Sequence, residues 1–173
     1  MEHLLEDGHR VLIRPIEPRD KAELAVGRTE LSDLTVHRRF LAPKTHFTRA
    51  ELRYLTEVDG HDHAAFVAEV LNDQPGRVAA VARWVRLSEG PDAAEAAIVV
   101  ADVLQGQGLG SLLAERLAQT AAQEGVRRFT ATMLSDNHAA RRLMVRLTGP
   151  REPPRRHRAR AAHRPDRRLV KAS

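Results

Sequence analysis

Residues 94–117 read AEAAIVVADVLQGQGLGSLLAERL, and this stretch decides the fold. Ala94 to Ala101 is a short apolar run of strand length. Gln105-Gly106-Gln107-Gly108-Leu109-Gly110 follows, with glycine at every second position. From there Leu109, Leu112, Leu113 and Leu117 recur at helical spacing until Gly125 closes the segment. The local order is strand, glycine loop, helix. Such a loop lets backbone N–H groups approach an anion at the positive end of the helix. It equally lets a helix pack closely on a sheet, and glycines alone leave both readings open. A P-loop needs a Lys and a Ser or Thr after its last glycine, yet Ser111 follows Gly110 directly. The dinucleotide fingerprint GxGxxG also fails on spacing.

Towards the N-terminus, Ala64–Leu71 and Val78–Leu87 flank the turn residues Asn72, Asp73, Gln74, Pro75 and Gly76, which predicts two antiparallel strands. A third strand, Ala94–Ala101, comes after Glu89, Gly90 and Pro91. Phe66 and Trp84 on adjacent strands are core candidates. Earlier still, Arg10–Ile16 predicts a strand ending at a proline. Asp20 with Glu23 has capping-box spacing before Leu24, Thr48 with Glu51 repeats it before Leu52 and Leu55, and Leu31, Leu34 and Phe40 suggest a helix between them, with Pro43 as a break. Towards the C-terminus, Phe129, Ala131 and Met133 alternate with Thr130 and Thr132 as a strand. Asp136 or Asn137 then caps a helix carrying Ala139, Ala140, Leu143, Met144 and Leu147. The expected fold class is mixed α/β (α+β), with a mainly antiparallel central sheet flanked by helices.

The chain has 173 residues with 28 Lys plus Arg against 23 Asp plus Glu. Nine of those basic residues and two of the acids lie in residues 149–173, which leaves 19 basic against 21 acidic in residues 1–148. The basic pI therefore belongs to the end of the chain, where Pro150, Pro153, Pro154 and Pro165 also gather. Residues 1–148 are expected to form one domain and residues 149–173 an Arg/Pro-rich tail without structure of its own. Zero cysteines exclude disulfides, thiolate metal sites and a cysteine nucleophile. The absence of Gly-x-Ser-x-Gly removes support for a serine hydrolase. The start MEHLLEDGHR lacks the basic-then-apolar order of a secretory signal, and no run has bilayer length, so a cytoplasmic location and no membrane partner are expected.

Gln105, Gly108 and Gly110 reproduce the (Gln/Arg)-x-x-Gly-x-(Gly/Ala) coenzyme A motif, and with the preceding Val99-Val100-Ala101-Asp102 strand end the chain resembles the GNAT superfamily of N-acetyltransferases. The resemblance runs from about Val11 to Leu147 and includes Arg14-Pro15-Ile16 with Asp20, and Ser135-Asp136-Asn137 with Ala140 and Leu143. Arg39-Phe40-Leu41-Ala42-Pro43-Lys44 and Leu55-Thr56-Glu57-Val58-Asp59-Gly60 are most similar to bacterial protein-lysine acetyltransferase domains. The resemblance implies acetyl-CoA as co-substrate, transfer to a primary amine of a protein lysine or small molecule, and no metal. It implies diphosphate contacts from Gln105, Gly106, Gln107, Gly108, Leu109 and Gly110 with Ser111. It further implies a pantetheine arm along Val99, Val100, Ala101 and Val103, and Asn137 at the start of the last helix. An amine must lose a proton before it attacks, and Glu95 is the expected base. Period-two alternation puts Glu95 beside Ala97, Val99 and Ala101, an apolar setting for a carboxylate, and it matches the glutamate of the lysine-acetyltransferase pattern.

Two departures from the family pattern leave alternatives open. No tyrosine occupies Arg142-Leu143-Met144-Val145, where many members place a general acid, and Tyr54 is the only tyrosine. The expected Gly-Phe and closing strands are replaced by Thr148-Gly149-Pro150 and the arginine tail, so the fold is expected to be truncated at its C-terminus. The sheet edge exposed there makes a homodimer a candidate assembly. A CoA-binding module without turnover is the first rival. A nucleic-acid-associated protein using the tail is the second, disfavoured because the tail has no aromatic residue for base stacking. His61-Asp62-His63 offers ligands for a metal but no third partner by sequence. His37, His46 and His138 are scattered and read as surface residues.

Overall fold

The structure, a computed structural model, describes residues 1–148. The expected tail, and any strand beyond the last helix, lie outside the described residues. Six strands form one sheet in chain order: β1 (Glu2–Leu4), β2 (Arg10–Pro15), β3 (His63–Val70), β4 (Val78–Leu87), β5 (Gly90–Val100) and β6 (Arg128–Thr130). All pairings are antiparallel except that of β5 with β6. Helices α1 (Lys21–Glu30), α2 (Asp33–Phe40) and α3 (Arg49–Thr56) connect β2 to β3. Helix α4 (Leu109–Gln123) makes the crossover between β5 and β6, and α5 (His138–Thr148) follows. The mixed α/β, mainly antiparallel architecture is the expected one. No described helix is long and apolar enough to cross a membrane.

The pleat divides the core in two. Ala64, Phe66, Ala82, Trp84, Ala94 and Ala96 face Leu109, Leu113, Leu117 and Ala121 of α4. Trp84 and Phe66 are buried at 0% and 4% exposure, as expected of core residues on adjacent strands. The three buried leucines of α4 each contribute about 1.5–3 kcal/mol of apolar burial. On the opposite face Ile16, Leu24, Ala65 and Val67 pack with Leu52 and Leu55. Alanines occupy many inward positions of β3–β5, so both helical layers approach the sheet closely.

Several local expectations change. Strand β1 has no signal in the sequence, since three residues are too few for a periodicity; it pairs Glu2 with Leu12, and the Met1 ammonium donates to the Ile13 carbonyl at 2.8 Å. The Thr48–Glu51 capping box forms, with Glu51 N–H donating to Thr48 Oγ1 and Thr48 N–H to Glu51 Oε2. Asp20 does not cap α1 as its spacing with Glu23 suggests. Its carboxylate turns back, accepting the Glu17 N–H at 2.8 Å and both terminal nitrogens of Arg14 at 2.7 and 2.8 Å, while Arg14 Nε donates to Glu69 at 2.8 Å. Asp20 is 3% exposed. Burial pushes its carboxyl up, but the Arg14 bonds and the Glu17 N–H outweigh burial and hold it below the usual range. The alternation Phe129, Ala131, Met133 is a strand only over Arg128–Thr130, for a reason that creates the site.

Candidate functional site

Strand β6 pairs with β5 at Ala93–Arg128, Ala94–Phe129 and Glu95–Thr130, and there the pairing stops. Strand β5 continues against β4 as far as Val100, opposite Ala80. Residues 96–100 therefore run roughly 16 Å, at about 3.3 Å per residue, with a strand on one side only among the described residues. The chain after Thr130 diverges, and the wedge opens into a cleft of about 400 Å³. Its walls include Ala96 to Val100, Gln105, Gly106, Gly108, Gly110, Ser111, Ala131 to Met133, Asn137 and Leu143.

The glycine loop closes one end. Gly106 and Gly108 both sit at φ +82°, a left-handed conformation costly for residues with a side chain, and Gly108 begins α4. No side chain caps α4, so its first N–H groups are left for a ligand. Gly110 serves packing instead. A Cβ there would stand 3.2 Å from Leu143 Cδ1, so its lack of a side chain lets α5 close on α4. The packing reading thus holds at Gly110, whereas Gly106 and Gly108 are set apart by their left-handed backbone. Asn137, rather than Asp136, caps α5 by accepting the Ala140 N–H at 3.1 Å.

A network absent from the sequence reading ties the loop to α2. Asp102 accepts hydrogen bonds from Ser32 N–H at 2.9 Å, Ser32 Oγ at 2.8 Å and Thr35 Oγ1 at 2.6 Å. Gln105 Nε2 donates to the Val100 carbonyl at 3.0 Å and to Thr35 Oγ1 at 3.2 Å. The Gln105 side chain thereby fixes the loop's path. Partial burial pushes the Asp102 carboxyl up, and the Ser32 and Thr35 donors bring it below its ordinary range. The available signal was the Ser32-to-Thr35 capping spacing, which has no helical pattern of its own to reveal its distant partner.

Of the residues expected at a donor site, Val99, Val100, Gln105, Gly106, Gly108, Gly110, Ser111 and Asn137 line this cleft. Ala101 and Val103 line a second cavity of about 110 Å³ on the opposite face, and Val103 is 80% exposed. Gln107 lines neither, and Leu109 points into the core at 1% exposure. Glu95 lines neither cavity; it stands at the last paired position, at the apex of the wedge, half-buried, and its Oε1 accepts a hydrogen bond from Thr132 Oγ1 at 3.3 Å.

The charge of the cleft has one sign. Among the described residues Arg38, Arg39, Arg142 and Arg146 line it, and no Asp or Glu does. The Nε of Arg38 is buried without a hydrogen-bond partner among the described residues. Together with an uncapped helix N-terminus this is a chemistry for a polyanion. The His61-Asp62-His63 stretch disperses: His61 meets Glu124, Asp62 pairs with Arg86, and the His63 ring is buried against Arg83. Among the described residues no three metal-ligating side chains gather.

The sequence and the structure were compared with known proteins. The family model described as Acetyltransferase (GNAT) family matches residues 31–149. Acetyltransferase Pat of Mycolicibacterium smegmatis is 41% identical over 140 residues, which are 81% of this chain and 41% of that protein, so the chain spans about two fifths of this relative's length. Acetyltransferase PA5475 of Pseudomonas aeruginosa is 33% identical over 151 residues, covering 86% of this chain and 81% of that one. Among solved structures, the GNAT domain of S. lividans PAT aligns with a TM-score of 0.77 at 28% identity, covering 85% of each chain. On the family match, the two relatives and the shared fold, this chain belongs to the GNAT acetyltransferase family.

Proposed function

We propose that this chain transfers an acetyl group from acetyl-CoA to a primary amine, with a protein lysine as the acceptor class. The observation that carries the reading is the wedge, with an uncapped helix start and left-handed glycines at its wide end and a carboxylate at its apex. The lining suits the anionic donor: Arg38, Arg142 and Arg146 supply positive charge, and the backbone N–H groups at Gly108 to Gly110 supply donors. The free edge of β5 from Ala96 to Val100 offers backbone hydrogen bonds to a slender amide-bearing chain. When bound, acetyl-CoA supplies an acyl thioester whose C–S bond breaks as the amide C–N bond forms.

Glu95 takes the amine's proton, directly or through water, and Thr132 Oγ1 orients its carboxylate. Likeness to Acetyltransferase Pat and to the GNAT domain of S. lividans PAT supports acetyl transfer, and the protein-lysine acceptor rests on the resemblance of residues 39–44 and 55–60 to bacterial protein-lysine acetyltransferase domains. The test is Glu95→Gln in the full chain, assayed for turnover with acetyl-CoA and lysine-containing peptides and for acetyl-CoA binding by calorimetry. Turnover falls by about 10²–10⁴-fold while affinity for acetyl-CoA is unchanged. Undiminished turnover removes Glu95 as the base, and absence of acetyl-CoA binding by the folded parent removes the reading.

A further inference from the structure

The cleft and the second cavity adjoin: Arg39, Ala97 and Val99 line both. The second cavity lies on the α1–α3 face of β5, the face that the pleat assigns to Glu95, among Leu24, Leu31, Phe40, Phe47 and Leu55. Its lining also carries Arg28, Arg77, Glu23, Glu30 and Asp102, of which Arg77 pairs with Glu30 and Asp102 is held by Ser32 and Thr35, whereas Arg39 and Arg83 have no ion pair among the described residues. Arg83, on β4 opposite Ala97, is 6% exposed, and its hydrogen-bonding partners are neutral: His63 Nε2 at 3.1 Å and the Leu55 carbonyl at 3.1 Å. Burial and the charge of Arg83 hold His63 down to about 4, so its ring is uncharged at neutral pH.

Arg39 is half-buried in the last turn of α2. Among the described residues its guanidinium has no hydrogen bond and no carboxylate within ion-pair reach, only the Phe40 ring with its centroid at 5.0 Å. Burial lowers the proton affinity of both arginines, and Arg39 further lowers that of Arg83. Glu95 is the negative side chain that acts on Arg39, and the carbonyl end of α2 adds about half a charge. Neither guanidinium has a carboxylate within ion-pair reach among the described residues, and a desolvated cation without a counter-ion is costly unless a ligand supplies one.

We propose that Arg39, with Arg83 behind it, is a receptor for a carboxylate carried by one of the two reacting partners. That partner is either the donor, as the far end of a dicarboxylic acyl chain on CoA, or the acceptor, as a carboxylate close to the amine that reacts. The inference rests on the acyl-transfer reading and deepens it. Its bond changes are the same: C–N forms, C–S breaks, the amine proton passes to Glu95, and sulfur leaves with CoA. The carboxylate is bound and does not react.

The test uses the full chain and its Arg39→Gln variant, which removes the charge and breaks no hydrogen bond within the described residues. In the donor arm, succinyl-CoA, butyryl-CoA and acetyl-CoA are titrated calorimetrically. In the acceptor arm, free lysine and lysinamide are compared as substrates with acetyl-CoA. A charge-assisted contact in this setting is worth about tenfold or more. The expected result is a preference of that size for succinyl-CoA over butyryl-CoA, or for free lysine over lysinamide in kcat/KM, lost in Arg39→Gln while the ratio of affinities for acetyl-CoA and butyryl-CoA is unchanged. If the parent binds acetyl-CoA yet shows neither preference, or if a preference survives Arg39→Gln, the receptor is refuted and acetyl transfer stands. If no acyl-CoA binds at all, both fall. Thermal melts of the two proteins confirm that the variant is folded.

Discussion

Replacing Arg14 by Met isolates the buried ion network between β2 and the turn before α1. Asp20 is 3% exposed, and the side chains of Arg14 and Glu69 are 13% and 21% exposed. The variant removes both Arg14 bonds to Asp20 and leaves the carboxylate with the Glu17 N–H. Removing one partner of a buried pair costs about 3–5 kcal/mol, and the surviving N–H bond favours the lower end, about 3 kcal/mol. At about 2–4 °C per kcal/mol for a domain of this size, the melting temperature at pH 7 falls by about 6–12 °C. The pH dependence has a definite sign. In the parent, Asp20 sits below its ordinary value, so its contribution is present above that value and lost as pH falls through the folded one. In the variant, burial without the arginine raises Asp20 above its ordinary value, so the penalty is relieved as pH falls. The gap between parent and variant therefore narrows from pH 7 to pH 4. Circular-dichroism melts of Arg14→Met and of Arg14→Met with Asp20→Asn measure both effects, and the double variant recovers most of the loss. A melting temperature within about 2 °C of the parent at pH 7, or a gap that does not narrow in acid, refutes the reasoning.

Gly108→Ala meets no atom within 4 Å, so its cost is the left-handed backbone alone, about 1–2 kcal/mol, with a weaker acetyl-CoA affinity read by calorimetry. Unchanged stability and affinity together would show that the loop does not need this conformation. Asp102→Ala removes four hydrogen bonds, one of them a long contact from Gln105, from an exposed carboxylate and costs only about 1 kcal/mol of stability. Steady-state kinetics should raise KM for acetyl-CoA several-fold at similar kcat, and the reverse pattern would count against a role in setting the loop. His63 titrates near 4 in the fold against an ordinary 6.5, so between those values the unfolded chain takes up a proton that the fold refuses. Stability is lost on the order of 2 kcal/mol as pH falls through that window. His63→Gln keeps an acceptor for Arg83 and flattens the loss, as melts at pH 7.5 and 4.5 will show; an unchanged pH slope rules His63 out.

Long elements with a strong period were legible in the chain. The alternation of Val78–Leu87, the leucine spacing after Gly108 and the Thr48–Glu51 box each depend on neighbours a few residues away, and each appears where expected. What escaped depends on partners far along the chain. Strand β1 exists because Leu12 and Ile13 accept it, and Asp20 turns back because Arg14 lies within reach. The strand expected through Met133 ends at Thr130 because β5 and β6 part, and the wedge between them is a feature of two separate segments. The pleat alone puts Glu95 on the same face of β5 as Ala97 and Val99. Arg83, a lone cation on the same face as Val81 and Val85, carried a visible signal. Its meaning needs α2, which brings Arg39 beside it from 44 residues away in sequence.

The unpaired length of β5 has a further consequence. A sheet edge ordinarily recruits other strands and invites aggregation, and soluble chains protect such edges with charge, bulges or cover. Here the bare edge from Ala96 to Val100 is recessed rather than blunted, walled by α2, α4, α5 and the segment after Thr130. A foreign strand arrives with side chains on both faces and a sheet behind it, and these walls stand in its way. A single thin chain can enter and use the same hydrogen-bonding rim. The depth of the wedge is thus a size filter that keeps a sticky edge available to a small molecule and closed to another protein.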